Sequence, residues 1–158
     1  MELTLRQESQ IKKLLQKQGV ILAYIFGSFA KDKAGPLSDF DIAVLFSEKV
    51  PPQEYFDKEL EIAGEIRRIL EINRVDVVNL ATTNNPLLKH NVVFKGRPIL
   101  IKDSKARFVL EKKIMQEYED TEHLRMVQYY YLKKHIKEGA FGRAPIKSKY
   151  LERYVANR

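Results

Sequence analysis

Two seven-residue apolar runs, VILAYIF (20–26) and FDIAVLF (40–46), and what stands between them constrain this chain more than any other feature. Both are rich in β-branched and aromatic residues, too short for a core helix, and bounded by Gly27 and Asp39, so they read as buried strands. The first ends in Gly27-Ser28; ten residues later the second begins with Asp39-Phe40-Asp41. FAKDKAG (29–35) has room for a helical turn or two before Gly35-Pro36 breaks it and folds the two strands towards each other. Asp39 and Asp41, two apart at the head of a strand, leave one face roughly 7 Å apart, while Phe40 and Ile42 turn to the other and pack. Burying two like charges costs several kcal/mol unless something neutralises them.

Two carboxylates so aimed suit a divalent cation, and Mg²⁺ prefers carboxylate and phosphate oxygens. Gly27-Ser28 supplies what phosphates need. A glycine at a strand end permits close backbone approach, and the next N–H groups, with the Ser28 hydroxyl, start a helical turn whose positive end faces an anion. Lys31 and Lys33, one turn on, are in reach of a triphosphate oxygen or are plain surface lysines. Asp76 completes the set if its strand, VDVVNL (75–80), lies beside FDIAVLF, where it would hold a metal or take a proton from an attacking hydroxyl. The competing reading pairs Asp76 with Arg74 or Arg97.

The remaining elements alternate around these strands. Leu3, Ile11, Leu14 and Leu15 mark an amphipathic helix over 2–18, stopped by Gly19. Tyr55, Leu60, Ile62, Ile66, Ile69 and Leu70 mark another over 53–71. Asn85 caps a short helix that starts at Pro86 and runs to about His90, and PILI (98–101) is a fourth strand. No proline or glycine interrupts 103–138, which predicts one helix of about 54 Å, or two with a bend near EDTE (119–122), part of it projecting or packing on another chain. Tyr129, Tyr130 and Tyr131 cannot all face one core.

The 158 residues, 44% hydrophobic, suit one domain, taken as 1–138, with a basic tail at 139–158 that is disordered or ordered by a partner. The absence of cysteine excludes disulfides and thiol chemistry. No apolar run reaches eighteen residues and no leader pattern opens the chain, which predicts a soluble, cytoplasmic protein. The net charge of +7 sits late: residues 1–101 hold 14 Lys/Arg against 13 Asp/Glu, and 102–158 hold 14 against 8. That excess suits a polyanionic ligand, an acidic partner or plain solvation. Direct nucleic-acid binding is not expected, and His90, His123 and His135, which lack metal-ligand spacing, read as surface or helix-end residues.

The arrangement Gly27-Ser28, ten residues, Asp39-x-Asp41 resembles the polymerase-β-type nucleotidyltransferases, and most of all the minimal nucleotidyltransferase antitoxins that pair with HEPN-domain toxins. The likeness spans about residues 20–140, taking in the Asp76 strand, the short helix before KGRPILI and the helix containing QEYEDTEHLRMVQYYYLKK. It departs at Lys31-Asp32, where many relatives carry Arg-Gly. The resemblance implies an α/β (α+β) fold, a mixed sheet of about four strands flanked by helices with a long C-terminal helix. It also implies ATP with two Mg²⁺ and transfer of AMP to a hydroxyl, a tyrosine of the HEPN toxin. Gly27 and Ser28 would then bind ATP, with Lys31 added from its position one turn on, Asp39 and Asp41 would bind the metals, and Asp76 would serve as third ligand or base. The sequence lacks the Arg-then-His pair of such toxins. Neutralisation by binding alone, or transfer to a small molecule, stand as alternatives.

Overall fold

The computed structural model describes residues 3–31 and 39–139; Lys33, the Gly35-Pro36 turn, the side chain of Lys31 and the tail from 140 lie outside the described residues. Helix α1 (Leu5–Lys17) opens with a capping box: Gln7 N–H donates to Thr4 Oγ1 at 3.2 Å and Thr4 N–H donates to Gln7 Oε1 at 3.0 Å. It stops at Gly19, whose φ of +82° a side chain would resist and whose added Cβ would lie 2.6 Å from Val50. Strand β1 (Val20–Phe26) follows, then a 3₁₀ turn (Phe29–Lys31) and β2 (Phe40–Phe46). Helix α2 (Tyr55–Leu70) leads to β3 (Val75–Asn79), α3 (Pro86–Lys95) to β4 (Arg97–Ile101), and α4 (Ser104–Asp120) and α5 (Glu122–Lys137) close the order.

The strands lie in the order β3-β2-β1-β4, with β1 antiparallel to β2 and β4, and β2 parallel to β3. Parallel pairing needs a crossover of a dozen or more residues, and α2 supplies it. The sheet is therefore mixed, and both faces are covered. On one, Ile11 and Leu15 of α1 and Ile62, Ile66 and Leu70 of α2 share a core with Ile25, Phe40, Ile42, Val44 and Phe46. On the other, Val92 and Val93 of α3 and Ile114 of α4 share one with Leu22, Tyr24, Ala43 and Leu80. Each large apolar side chain so buried contributes about 1.5–3 kcal/mol. The alternation along β2 follows: Phe40, Ile42, Val44 and Phe46 face α1 and α2, whereas Asp41, Ala43 and Leu45 face the side of α3 and α4.

Two expectations change. Helix α3 begins as read, with Leu88 N–H donating to Asn85 Oδ1 at 3.0 Å, but it runs on past His90 to Lys95. Burial of Val92 and Val93 outweighs their weak helix propensity. Gly96 ends it where a Cβ would sit 2.2 Å from the Val92 carbonyl oxygen and 2.9 Å from that of Ile25. His90 consequently lies inside a helix rather than at its end, its ring 3.9 Å from that of Tyr118 and 4.9 Å from that of Phe94. The buried Lys89, which its sequence surroundings did not single out, joins α3 to α4 through Glu117 Oε2 at 2.9 Å.

The 103–138 stretch forms two helices that part at Thr121, and the chain divides there into two compact units. The first, to Asp120, holds the whole sheet and both cores. In the second, α5 buries no side chain: Leu124, Met126, Val127, Leu132, Ile136 and all three consecutive tyrosines are exposed. Among the described residues no helix is long and apolar enough to cross a membrane.

Candidate active site

Strand register brings Gly27-Ser28, Asp39, Asp41 and Asp76 together. Because β1 and β2 run antiparallel with Phe26 opposite Asp41, the end of β1, and so Gly27-Ser28, arrives beside the head of β2. Because β2 and β3 run parallel with Asp41 opposite Asp76, the third carboxylate stands directly beside the second, on the same face. Phe40, between the two aspartates, is fully buried on the far face, which aims Asp39 and Asp41 outward. Phe29 packs edge-on against Phe40 at 5.1 Å between ring centroids, tying the turn after Gly27-Ser28 to the strand that carries the aspartates.

Gly27 has φ +71°, and an added Cβ would stand 2.0 Å from Asp41 Oδ2. No side chain fits there. The glycine therefore makes room for the Asp41 carboxylate itself. Burial pushes the Asp41 carboxyl above the ordinary carboxylate range, and the neighbouring charges of Asp76 and Asp39 push it the same way. The three acids are thus electrostatically in one site.

Asp39 is partly exposed, and its Oδ2 lies 3.9 Å from Arg74 Nη1. The Phe40 N–H donates to the Arg74 carbonyl at 3.1 Å, pinning the turn before β3 to the start of β2. Arg74 therefore pairs with Asp39, not Asp76, and Arg97 is held by Glu8 Oε2 at 3.1 Å. Among the described residues no salt bridge reaches Asp76, so the strand-end pairing expected as its competing role is not made. Arg74 was legible only as a neighbour of Asp76, since its reach to Asp39 depends on the parallel register of β2 and β3. Lys31 has its backbone at the end of the 3₁₀ turn that follows Gly27-Ser28.

The donor set is hard oxygen, suited to Mg²⁺ rather than to a softer metal. Among the described residues no three Asp, Glu or His side chains close into a ready-made metal cage. Mg²⁺ is commonly held by one or two carboxylates with phosphates and water supplying the rest, and Asp39, Asp41 and Asp76 meet that requirement in donor chemistry. The mutual repulsion at Asp41 is the kind of strain that a divalent cation relieves.

The mixed sheet thus carries Gly27-Ser28 at the end of β1 and carboxylates at the heads of β2 and β3, which pair with each other. Residues 9–105 match the family described as Polymerase beta, Nucleotidyltransferase, and the chain belongs to it. A Methanocaldococcus jannaschii protein named for protein adenylyltransferase activity is 32% identical over 92 residues, covering 53% of this chain and 89% of that one. Among solved structures, a toxin-antitoxin complex with AMP-PNP contains a chain that matches with a TM-score of 0.66 at 24% identity, over 80% of this chain and 98% of that one. A second, the complex of a tri-AMPylated Shewanella oneidensis HEPN toxin with an MNT antitoxin, matches with a TM-score of 0.62 at 23% identity, over 81% and 97%. These structural likenesses establish the fold.

Proposed function

We propose that this chain is a Mg²⁺-dependent adenylyltransferase that moves AMP from ATP to a tyrosine hydroxyl of a HEPN-toxin partner, and so acts as the antitoxin of that pair. The observation that carries the reading is the register that sets Asp76 beside Asp41, with Gly27 against the Asp41 carboxylate. Backbone N–H groups after Gly27 and the Ser28 hydroxyl bind the triphosphate, and Lys31 adds a contact from the 3₁₀ turn. Asp39, Asp41 and Asp76 hold two Mg²⁺ ions, which when bound neutralise phosphate charge. Asp76, on the edge strand β3, accepts the phenolic proton as the tyrosine oxygen bonds to the α-phosphorus and the bond to pyrophosphate breaks. A cytoplasmic setting belongs to the same reading, because ATP is the co-substrate.

The test is intact-mass spectrometry of the co-expressed partner, with and without ATP and Mg²⁺. The unaltered chain adds one or more AMP units to the partner; Asp41→Asn, shown folded by circular dichroism, adds none. Transfer by the folded variant would sink the mechanism. The unburied apolar residues of α5 support a second reading, in which docking alone neutralises the toxin. Rescue of growth by an Asp39→Asn/Asp41→Asn double variant would favour it.

A further inference from the structure

We propose that Arg74 is an exchangeable counter-ion of this site: it pairs with Asp39 before nucleotide binds and moves onto the triphosphate once metal and nucleotide compete for that carboxylate. The proposal rests on the nucleotide-site reading above and adds to it a residue outside the Gly-Ser and Asp-x-Asp motif.

The backbone of Arg74 is held in place while its side chain is not. Its carbonyl takes the Phe40 N–H at 3.1 Å, so its Cα is anchored at the mouth of the site between the heads of β2 and β3. Its side chain, by contrast, is 78% exposed and touches Asp39 at 3.9 Å, the outer edge of an ion pair. A contact so long and so wet contributes little and breaks readily. Among the described residues, Arg74 is the one cation within ion-pair distance of any of the three clustered carboxylates. Arg97 differs: Glu8 holds it at 3.1 Å, and its side chain is only 43% exposed.

Charge bookkeeping gives the direction of movement. A divalent ion outcompetes a loose guanidinium for Asp39, and the triphosphate that arrives with it carries more negative charge than the carboxylate Arg74 gives up. A guanidinium presents a planar fork of N–H donors matched to phosphate oxygens, and its long side chain can turn without moving the anchored backbone. Arg74 would then complement Ser28 from the opposite wall of the site.

The experiment is calorimetric titration of the full chain and its Arg74→Ala and Arg74→Lys variants with AMP-PNP and with AMP, both in Mg²⁺. Electron paramagnetic resonance follows Mn²⁺ binding without nucleotide. The expected result is an AMP-PNP affinity about tenfold weaker in Arg74→Ala, partly restored in Arg74→Lys, with AMP changed less than about twofold because it lacks the outer phosphates. Mn²⁺ should bind Arg74→Ala more tightly, its competitor for Asp39 being gone. Equal losses for AMP-PNP and AMP, or no loss, would overturn the phosphate contact, and an unchanged Mn²⁺ affinity would overturn the exchange. Failure of the unaltered chain to bind AMP-PNP would instead overturn the nucleotide-site reading itself, and the role of Arg74 with it.

Discussion

Gly27 and Asp41 form the tightest structural dependence in the site, and each predicts a different outcome when changed. Gly27→Ala forces a side chain into φ +71° and within 2.0 Å of the Asp41 carboxylate. The backbone strain alone costs about 1–2 kcal/mol, and displacement of Asp41 adds to it. Urea denaturation should show a loss of about 2–3 kcal/mol, with adenylyl transfer abolished. Asp41→Asn acts oppositely on stability, because it removes a charge that burial, Asp76 and Asp39 all disfavour. Solvent screening at this partly exposed group keeps the gain within about 1 kcal/mol. The variant should therefore melt no lower than the parent chain while losing activity, a combination that a merely damaged fold would not show.

At the scale of elements, the chain holds the phosphate turn and the carboxylates together through strand pairing, then ties helices to the outside of the sheet by a few long-range contacts. Glu8 of α1 reaches Arg97 at the start of β4, with Lys12 at 3.0 Å on its other side. The hydrogen bond from Lys12, then that from Arg97, holds the Glu8 carboxyl below the ordinary glutamate range against the opposing effect of burial. A carboxyl whose pKa falls on folding stabilises the fold at pH above its unfolded value and loses that contribution as pH drops through its folded value. Glu8→Gln should thus cost about 0.5–1 kcal/mol at pH 7, and the difference from the parent chain should shrink on acidification. Denaturation curves at stepped pH check it; a constant difference would mean that packing, not charge, is what the substitution removes.

The strands were legible because continuous apolar runs ended in Gly27, Asp39 and the turn before Val75. The α3 boundary was not, since valines that discourage a helix locally are kept in one by burial against β1. Nor was the choice between one long helix and two, because EDTE disfavours neither until the fold decides where α4 ends.

For the whole molecule, both hydrophobic clusters lie before Asp120, and α5 contributes no buried side chain to either. A chain ending at Asp120 should unfold cooperatively with a thermal midpoint within about 4 °C of the full chain, corresponding to roughly 1 kcal/mol. It should still bind AMP-PNP. Pull-down of a co-expressed HEPN toxin should drop sharply if the exposed apolar and basic side chains of α5 are its docking surface. A midpoint far below that range would show that Thr121 onward supports the fold.

Apolar runs and the Gly27-Ser28 and Asp39-x-Asp41 spacing by themselves determined which segments form strands, which residues are candidates for the site and the kind of ligand those residues suit, while the fold class came with the family resemblance they carry. These are local properties: which side chains alternate, where the backbone must turn, which groups are hard oxygen donors. Tertiary structure alone decided that β3 pairs in parallel with β2, that Asp76 therefore stands beside Asp41, that Gly27 must yield its space to that carboxylate, and that Arg74 answers to Asp39. Each depends on strand order and register, which arise from burying two sheet faces at once and leave no trace in any one segment of the chain.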